Sequence, residues 1–167
     1  MKILFLDHDG VICLAPDWGS RFKNKEGLDS IFDRFDPKAV KVLNEIIEKT
    51  DCEIVISSDW RFHATLEEMQ ELYRIRGIKK VPIDYTCDFS SNKEKAAVSR
   101  SWEILDWVKA HPEITHWVAV DDLDMSEHFG PISGNLNFGF KNFVLTPRSH
   151  EGIKQCGIKE KIMKFIL

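Results

Sequence analysis

The stretch ILFLDHDGVI, residues 3–12, decides how the chain is read. Ile3-Leu4-Phe5-Leu6 is a short, unbroken apolar run, the pattern of a strand buried on both faces. It stops at Asp7, His8, Asp9 and Gly10. Two acids at the end of such a run are costly when buried unpaired, so they need a partner or a task.

Working outward, short apolar runs alternate with amphipathic stretches. Residues 13–36 are irregular and rich in aromatics, with Pro16, Gly19 and Gly27 among Trp18, Phe22, Phe32 and Phe35. Asp36-Pro37 reads as an N-cap followed by proline at the first helical position. Val40, Leu43, Ile46 and Ile47 then recur at helical spacing. Glu53–Ile56 is a second strand, and Leu66, Met69, Leu72 and Tyr73 mark a helix ending near Gly77. Val81-Pro82-Ile83 reads as a short edge strand, because proline is poorly tolerated in a sheet interior. A third helix is expected from about Ser101 to Ala110, strands at Trp117–Val120 and Asn142–Leu145, and a closing helix over 151–166. This alternation predicts an α/β fold, a three-layer, doubly wound, Rossmann-like parallel sheet. One domain over residues 1–167 is expected, with 13–36 as a flap or small cap insertion, or as a loop covering the sheet edge.

The 167 residues are 43% hydrophobic, enough for one stable core, and carry a net charge of −4. That balance gives no broad basic face for nucleic acid and leaves only a local basic groove open. Asp7 and Asp9 interrupt the apolar start before a secretory leader could form, and no apolar run is long enough to span a bilayer. A cytoplasmic chain without membrane association is expected, and no protein partner is evident. Cys13, Cys52, Cys87 and Cys156 are scattered and form no CxxC pair, so reduced thiols are expected. His111 and His116, five apart, lack metal-ligand spacing on a helix.

In a parallel sheet, ligands bind beyond the carboxyl ends of the strands, where strand order reverses. The residues at those ends are Asp7 and Asp9 after the first strand, Ser57 and Ser58 after the second, and Asp121 and Asp122 after the fourth. Arg100 lies just ahead of the expected third helix, with Lys93 and Lys95 upstream. Two like charges about 4 Å apart at an effective dielectric near 20 repel by roughly 4 kcal/mol. A cluster of acids therefore needs a cation, and oxygen ligands suit Mg²⁺. Such a metal beside a hydroxyl and a basic side chain is a place to bind a phosphoryl group.

FLDHDGVI resembles the first motif of the haloacid dehalogenase (HAD) superfamily, an apolar strand followed by DxDG[TV]. IVISS resembles its second motif, a strand ending in Ser or Thr, and WVAVDD its fourth, a strand ending in paired acids. The third motif is a lone Lys or Arg ahead of the fourth. SSDWR and SRSWEILDWV are similar to segments of small HAD domains appended to RNA-repair enzymes. The likeness covers most of the chain in the family's order and spacing.

The resemblance implies roles. Asp7 is the expected nucleophile, forming an aspartyl-phosphate, and Asp9 the acid and then the base. Ser57 is expected to hydrogen-bond the phosphoryl group, with Ser58 as the other candidate donor. Arg100 is expected to steady the nucleophile and the phosphate charge, with Lys95 as the alternative. Mg²⁺ is expected on Asp7, Asp9 (through its backbone carbonyl), Asp121 and Asp122. Gly10 fits a tight turn close to the ligand. Trp60 and Arg61 either flank the crevice, with Arg61 binding substrate, or simply pack.

Two departures from the family pattern stand out. His8 occupies a position that is usually apolar, and alternation points its side chain away from Asp7 and Asp9. Arg100 replaces the commoner lysine, keeping a fixed cation but not a proton donor.

The expected function is a Mg²⁺-dependent phosphomonoesterase. Alternatives are a dehalogenase, a phospho-accepting receiver-like domain and an idle binding domain. A dehalogenase would need neither Asp9 nor an acid pair. A receiver carries its acid pair after the first strand and its phosphorylated aspartate after the third, where this chain has only Asp84. Residues 122–133 do not make a calcium loop, because Glu127 stands where glycine is needed and Ser133 where glutamate is needed. No large cap fits between the motifs, so an open site is expected that admits a bulky substrate such as a nucleic-acid end or a phosphoprotein. The RNA-repair resemblance points to nucleic-acid ends, and a phosphorylated small molecule or nucleotide entering through the flap is the other expectation.

Overall fold

The computed structural model describes residues 1–14, 34–89, 96–126 and 141–167. Its centre is β1 (Lys2–Leu6), whose Leu6 lies opposite Ile56 of β2 (Glu53–Ile56) on one side and Val120 of β4 (His116–Asp121) on the other. β3 (Pro82–Tyr85) and β5 (Phe143–Leu145) form the two edges, and all strands run parallel in the order β3-β2-β1-β4-β5. Pro82 thus sits on an edge strand, where a missing N–H is tolerated.

Right-handed crossovers explain the layers. The chain steps from β1 to β2 to β3 in one direction, which puts α1 (Pro37–Thr50) and α2 (Leu66–Ile75) on one face. It then jumps from β3 across β2 and β1 to β4, which puts α3 (Ala96–Ala110) on the other. The period-two alternation of β1 serves both faces. Leu4 and Leu6 pack with Leu43, Ile46, Tyr73 and, from α4 (Ile158–Ile166), Ile162 and Ile166, while Ile3 and Phe5 pack with Ile104 and Trp107 of α3. The fold is a Rossmann-like α/β sandwich of three layers.

α1 begins as its sequence indicates. The Asp36 carboxylate accepts the Ala39 N–H at 2.8 Å, with proline next in line. α2 starts with a reciprocal capping box between Thr65 and Glu68.

Two helices differ from expectation. α3 starts at Ala96 rather than near Ser101, because Ala96-Ala97-Val98 extends the helix without lengthening the apolar stripe used to find it. Arg100 is therefore inside α3, not ahead of it. The closing helix is also two pieces: a single 3-10 turn at Gly152–Lys154, then α4, separated at Gly157, whose φ of 84° breaks the helical course.

The segment expected as a flap lies almost wholly outside the described residues. Its two ends meet, with Cys13 bridged antiparallel to Phe35 and the Asp36 N–H donating to the Ile12 carbonyl at 2.9 Å. All four cysteines are free thiols. Among the described residues no helix is long and apolar enough to cross a membrane.

Candidate active site

Strand order reverses at the β1–β4 pair, and the acidic strand ends meet there. Each strand-end residue is anchored by its neighbour. The Asp7 N–H donates to the Val120 carbonyl at 3.1 Å, Ser57 N–H to Leu6 at 3.0 Å, and Thr146 N–H to Asp121 at 2.9 Å. The ladder thus continues one residue past the strands and fixes the backbone under the strand-end side chains.

Asp7 and Asp121 are buried, Asp122 is exposed, and one carboxylate oxygen from each lies within 4.8 Å of the others. Arg100 enters this group from α3. Its Nη1 donates to the Ser57 carbonyl at 2.6 Å, to Asp121 Oδ2 at 3.0 Å and to Asp7 Oδ1 at 3.3 Å. Its Nη2 donates to Asp59 Oδ1 at 2.9 Å. One cation thus bridges two buried acids across the β1–β4 junction.

One guanidinium does not balance the site. Burial pushes the Asp7 carboxyl well above the usual carboxylate range, Asp121 adds to the rise, and Arg100 and a hydrogen bond from Ser58 oppose it. Burial likewise pushes Asp121 up to about 6 against the pull of Arg100. Asp122 is raised by burial and by Asp9. For Arg100, burial works against the charge, but Asp121, Asp7, Asp59 and Glu103 outweigh it and hold the guanidinium charged. A closely spaced, oxygen-only donor set with raised carboxyls fits a hard divalent cation, which would relieve the excess negative charge.

Ser57 and Ser58 part company. The Ser57 hydroxyl is buried and has no hydrogen-bond partner among the described residues. Ser58 donates to Asp7 and also caps the 3-10 turn Asp59–Phe62, its Oγ facing the Trp60 N–H at 3.5 Å.

Gly10 makes the turn after β1 with φ +73°, a region glycine enters freely. A Cβ there would stand 2.2 Å from Asp122 Oδ2, so only glycine lets that carboxylate lie against the turn. Thr146 Oγ1 donates to the Gly10 carbonyl at 3.1 Å and ties the turn to the end of β5.

Asp9 is exposed, and its Oδ2 accepts the Trp60 indole N–H at 2.9 Å. Arg61, an expected substrate contact, is turned into the protein instead. It makes a two-pronged pair with Glu103 at 2.8 and 2.9 Å and donates to Thr86 at 2.9 Å, with 7% of its side chain exposed. Lys95 and Lys93 lie outside the described residues. Sequence reasoning missed Asp59, Glu103 and Thr146. Only Glu103 left a trace, since it follows Arg100 by three residues on one helix.

A family model described as the HAD domain in Swiss Army Knife RNA repair proteins matches residues 3–154. No curated protein and no solved structure matches the chain. With the family model spanning nearly the whole chain, and the acidic strand ends meeting where that fold binds its ligand, the chain belongs to the haloacid dehalogenase superfamily, as a domain of the RNA-repair type.

Proposed function

We propose that the chain is a Mg²⁺-dependent phosphomonoesterase that works through an aspartyl-phosphate on Asp7 and acts on phosphorylated nucleic-acid ends. The observation that carries this reading is the meeting of Asp7, Asp121 and Asp122 around a buried arginine.

Mg²⁺ would be held by Asp7, Asp121, Asp122 and the Asp9 backbone carbonyl, and when bound it would neutralise phosphoryl oxygens. The remaining work falls to the chain. Asp7 attacks phosphorus with a carboxylate oxygen while Arg100 and Ser58 hold the group in place. The bond from phosphorus to the ester oxygen breaks, and Asp9 gives that oxygen a proton. The Ser57 hydroxyl, without a partner among the described residues, donates to the phosphoryl group, and the Arg100 charge offsets the negative charge that develops. Asp9, now a carboxylate, takes a proton from the water that attacks the aspartyl-phosphate, which releases phosphate and restores Asp7.

For the substrate, support comes from the RNA-repair description of the matching family and from the stretches between motifs, which are too short for a large cap. The test is phosphate release, with and without Mg²⁺, from 3′- and 5′-phosphorylated oligonucleotides, nucleoside monophosphates and p-nitrophenyl phosphate. Mg²⁺-dependent release, fastest on an oligonucleotide, is expected. No release from any ester overturns the phosphatase reading, and a preference for free nucleotides overturns the nucleic-acid end.

A further inference from the structure

Asp9 is exposed and stands on a turn, so nothing in its burial fixes where its carboxylate points. Trp60 does the opposite: it is 2% exposed and clamped among rings. The His8 imidazole stacks on it at 4.5 Å with an interplanar angle of 6°, and Phe35 meets it edge-on at 5.6 Å. His8 is in turn held by the Tyr73 hydroxyl, 3.0 Å from its Nε2, and by the edges of Phe35 and Tyr73. His8 is fully buried and packs as a flat aromatic surface. The polar residue between the two aspartates thus has a structural use, as one wall of the slot that holds the indole. From that slot the indole N–H reaches Asp9 Oδ2 at 2.9 Å.

We propose that Trp60 is a positioning residue for Asp9: its clamped indole N–H engages Oδ2 and so leaves Oδ1 to carry the proton to the departing ester oxygen. The inference rests on the phosphatase reading above. In the step concerned, the bond from phosphorus to the ester oxygen breaks, a bond from Asp7 to phosphorus forms, and the proton moves from Asp9 to the leaving alkoxide. A nitrophenolate leaves without that proton, whereas an alkoxide does not. Trp60→Phe keeps a flat ring in the slot and removes the N–H together with the pyrrole half of the indole, so the contrast between the two esters, not the size of either loss, reads the N–H.

The experiment compares kcat/KM, which reports on formation of the aspartyl-phosphate, for p-nitrophenyl phosphate and for the best alkyl ester among oligonucleotide ends, nucleotides and glycerol phosphate. In Trp60→Phe the alkyl ester should lose roughly 10- to 100-fold, and the nitrophenyl ester less than about threefold. Asp9→Asn should show the same selectivity, more strongly. Equal losses on both esters overturn the inference and make Trp60 a packing residue. A wild-type protein that hydrolyses neither ester overturns the phosphatase reading and this inference with it. Should Trp60→Phe fail to fold, the ¹H–¹⁵N spectrum of Asp9→Asn decides instead. One of the five indole signals should move, and five unmoved signals overturn the contact.

Discussion

Asp121→Asn, studied without divalent metal, tests the electrostatics of the site most sharply. Asp121 is 1% exposed, and its carboxyl rises from 3.8 in the unfolded chain to about 6 in the folded one, chiefly through burial. At neutral pH the protein must therefore fold with an anion it would rather protonate, a penalty of about 3 kcal/mol. The sign follows from proton counting. Between pH 4 and 6 the native state binds more protons than the unfolded state, so this group's contribution to stability falls as pH rises through that window. Asparagine removes the dependence. The variant should match wild type near pH 4 and exceed it by up to about 3 kcal/mol at pH 7.5, a rise in Tm of roughly 6–12 °C for a chain of this size. The Arg100 pairing is already counted, because its pull is part of the balance that sets the value near 6. Saturating Mg²⁺ should stabilise wild type far more than the variant and shrink the gap. Thermal unfolding from pH 4 to 8, with EDTA or Mg²⁺, gives the comparison. Parallel pH profiles, or a variant less stable at pH 7.5 without metal, would refute the reasoning.

Two further substitutions probe the same cluster. Gly10→Ala should lose about 1–2 kcal/mol from the left-handed backbone alone and, by forcing Asp122 aside, weaken Mg²⁺ binding roughly 10- to 100-fold. Unfolding and titration calorimetry measure the two effects, and an unchanged Mg²⁺ affinity would remove Asp122 from the ligand set. Arg100→Met leaves Asp7 and Asp121 buried without their cation. It should cost about 3–5 kcal/mol at pH 8 in EDTA, less at pH 5 where the carboxyls take up protons, as read by denaturant unfolding.

The sequence disclosed most where one residue type has one meaning. Ile3–Leu6 reads as a strand buried on both faces and is one, and the acids behind it and behind Val120 meet where the two parallel strands end side by side. Pro82 marked an edge strand and Asp36-Pro37 a helix start for equally local reasons. Legibility failed where the deciding partner was distant. Nothing near Arg61 announces that Glu103, far along the chain, will pair with its guanidinium at both prongs. The indole of Trp60 offered no sign that it would reach Asp9, since that contact depends on α2 delivering Tyr73 behind His8. The early start of α3 escaped because alanines extend a helix without adding to its apolar stripe.

Acid-quenched mass spectrometry bears most directly on Asp7 as the phosphoryl acceptor. Enzyme, Mg²⁺ and substrate are mixed, stopped within one turnover and digested. The predicted result is a single phosphoryl group on the peptide holding Asp7, disappearing as phosphate is released and absent in Asp7→Asn. A label on another residue, turnover with no label, or an active Asp7→Asn protein would contradict it.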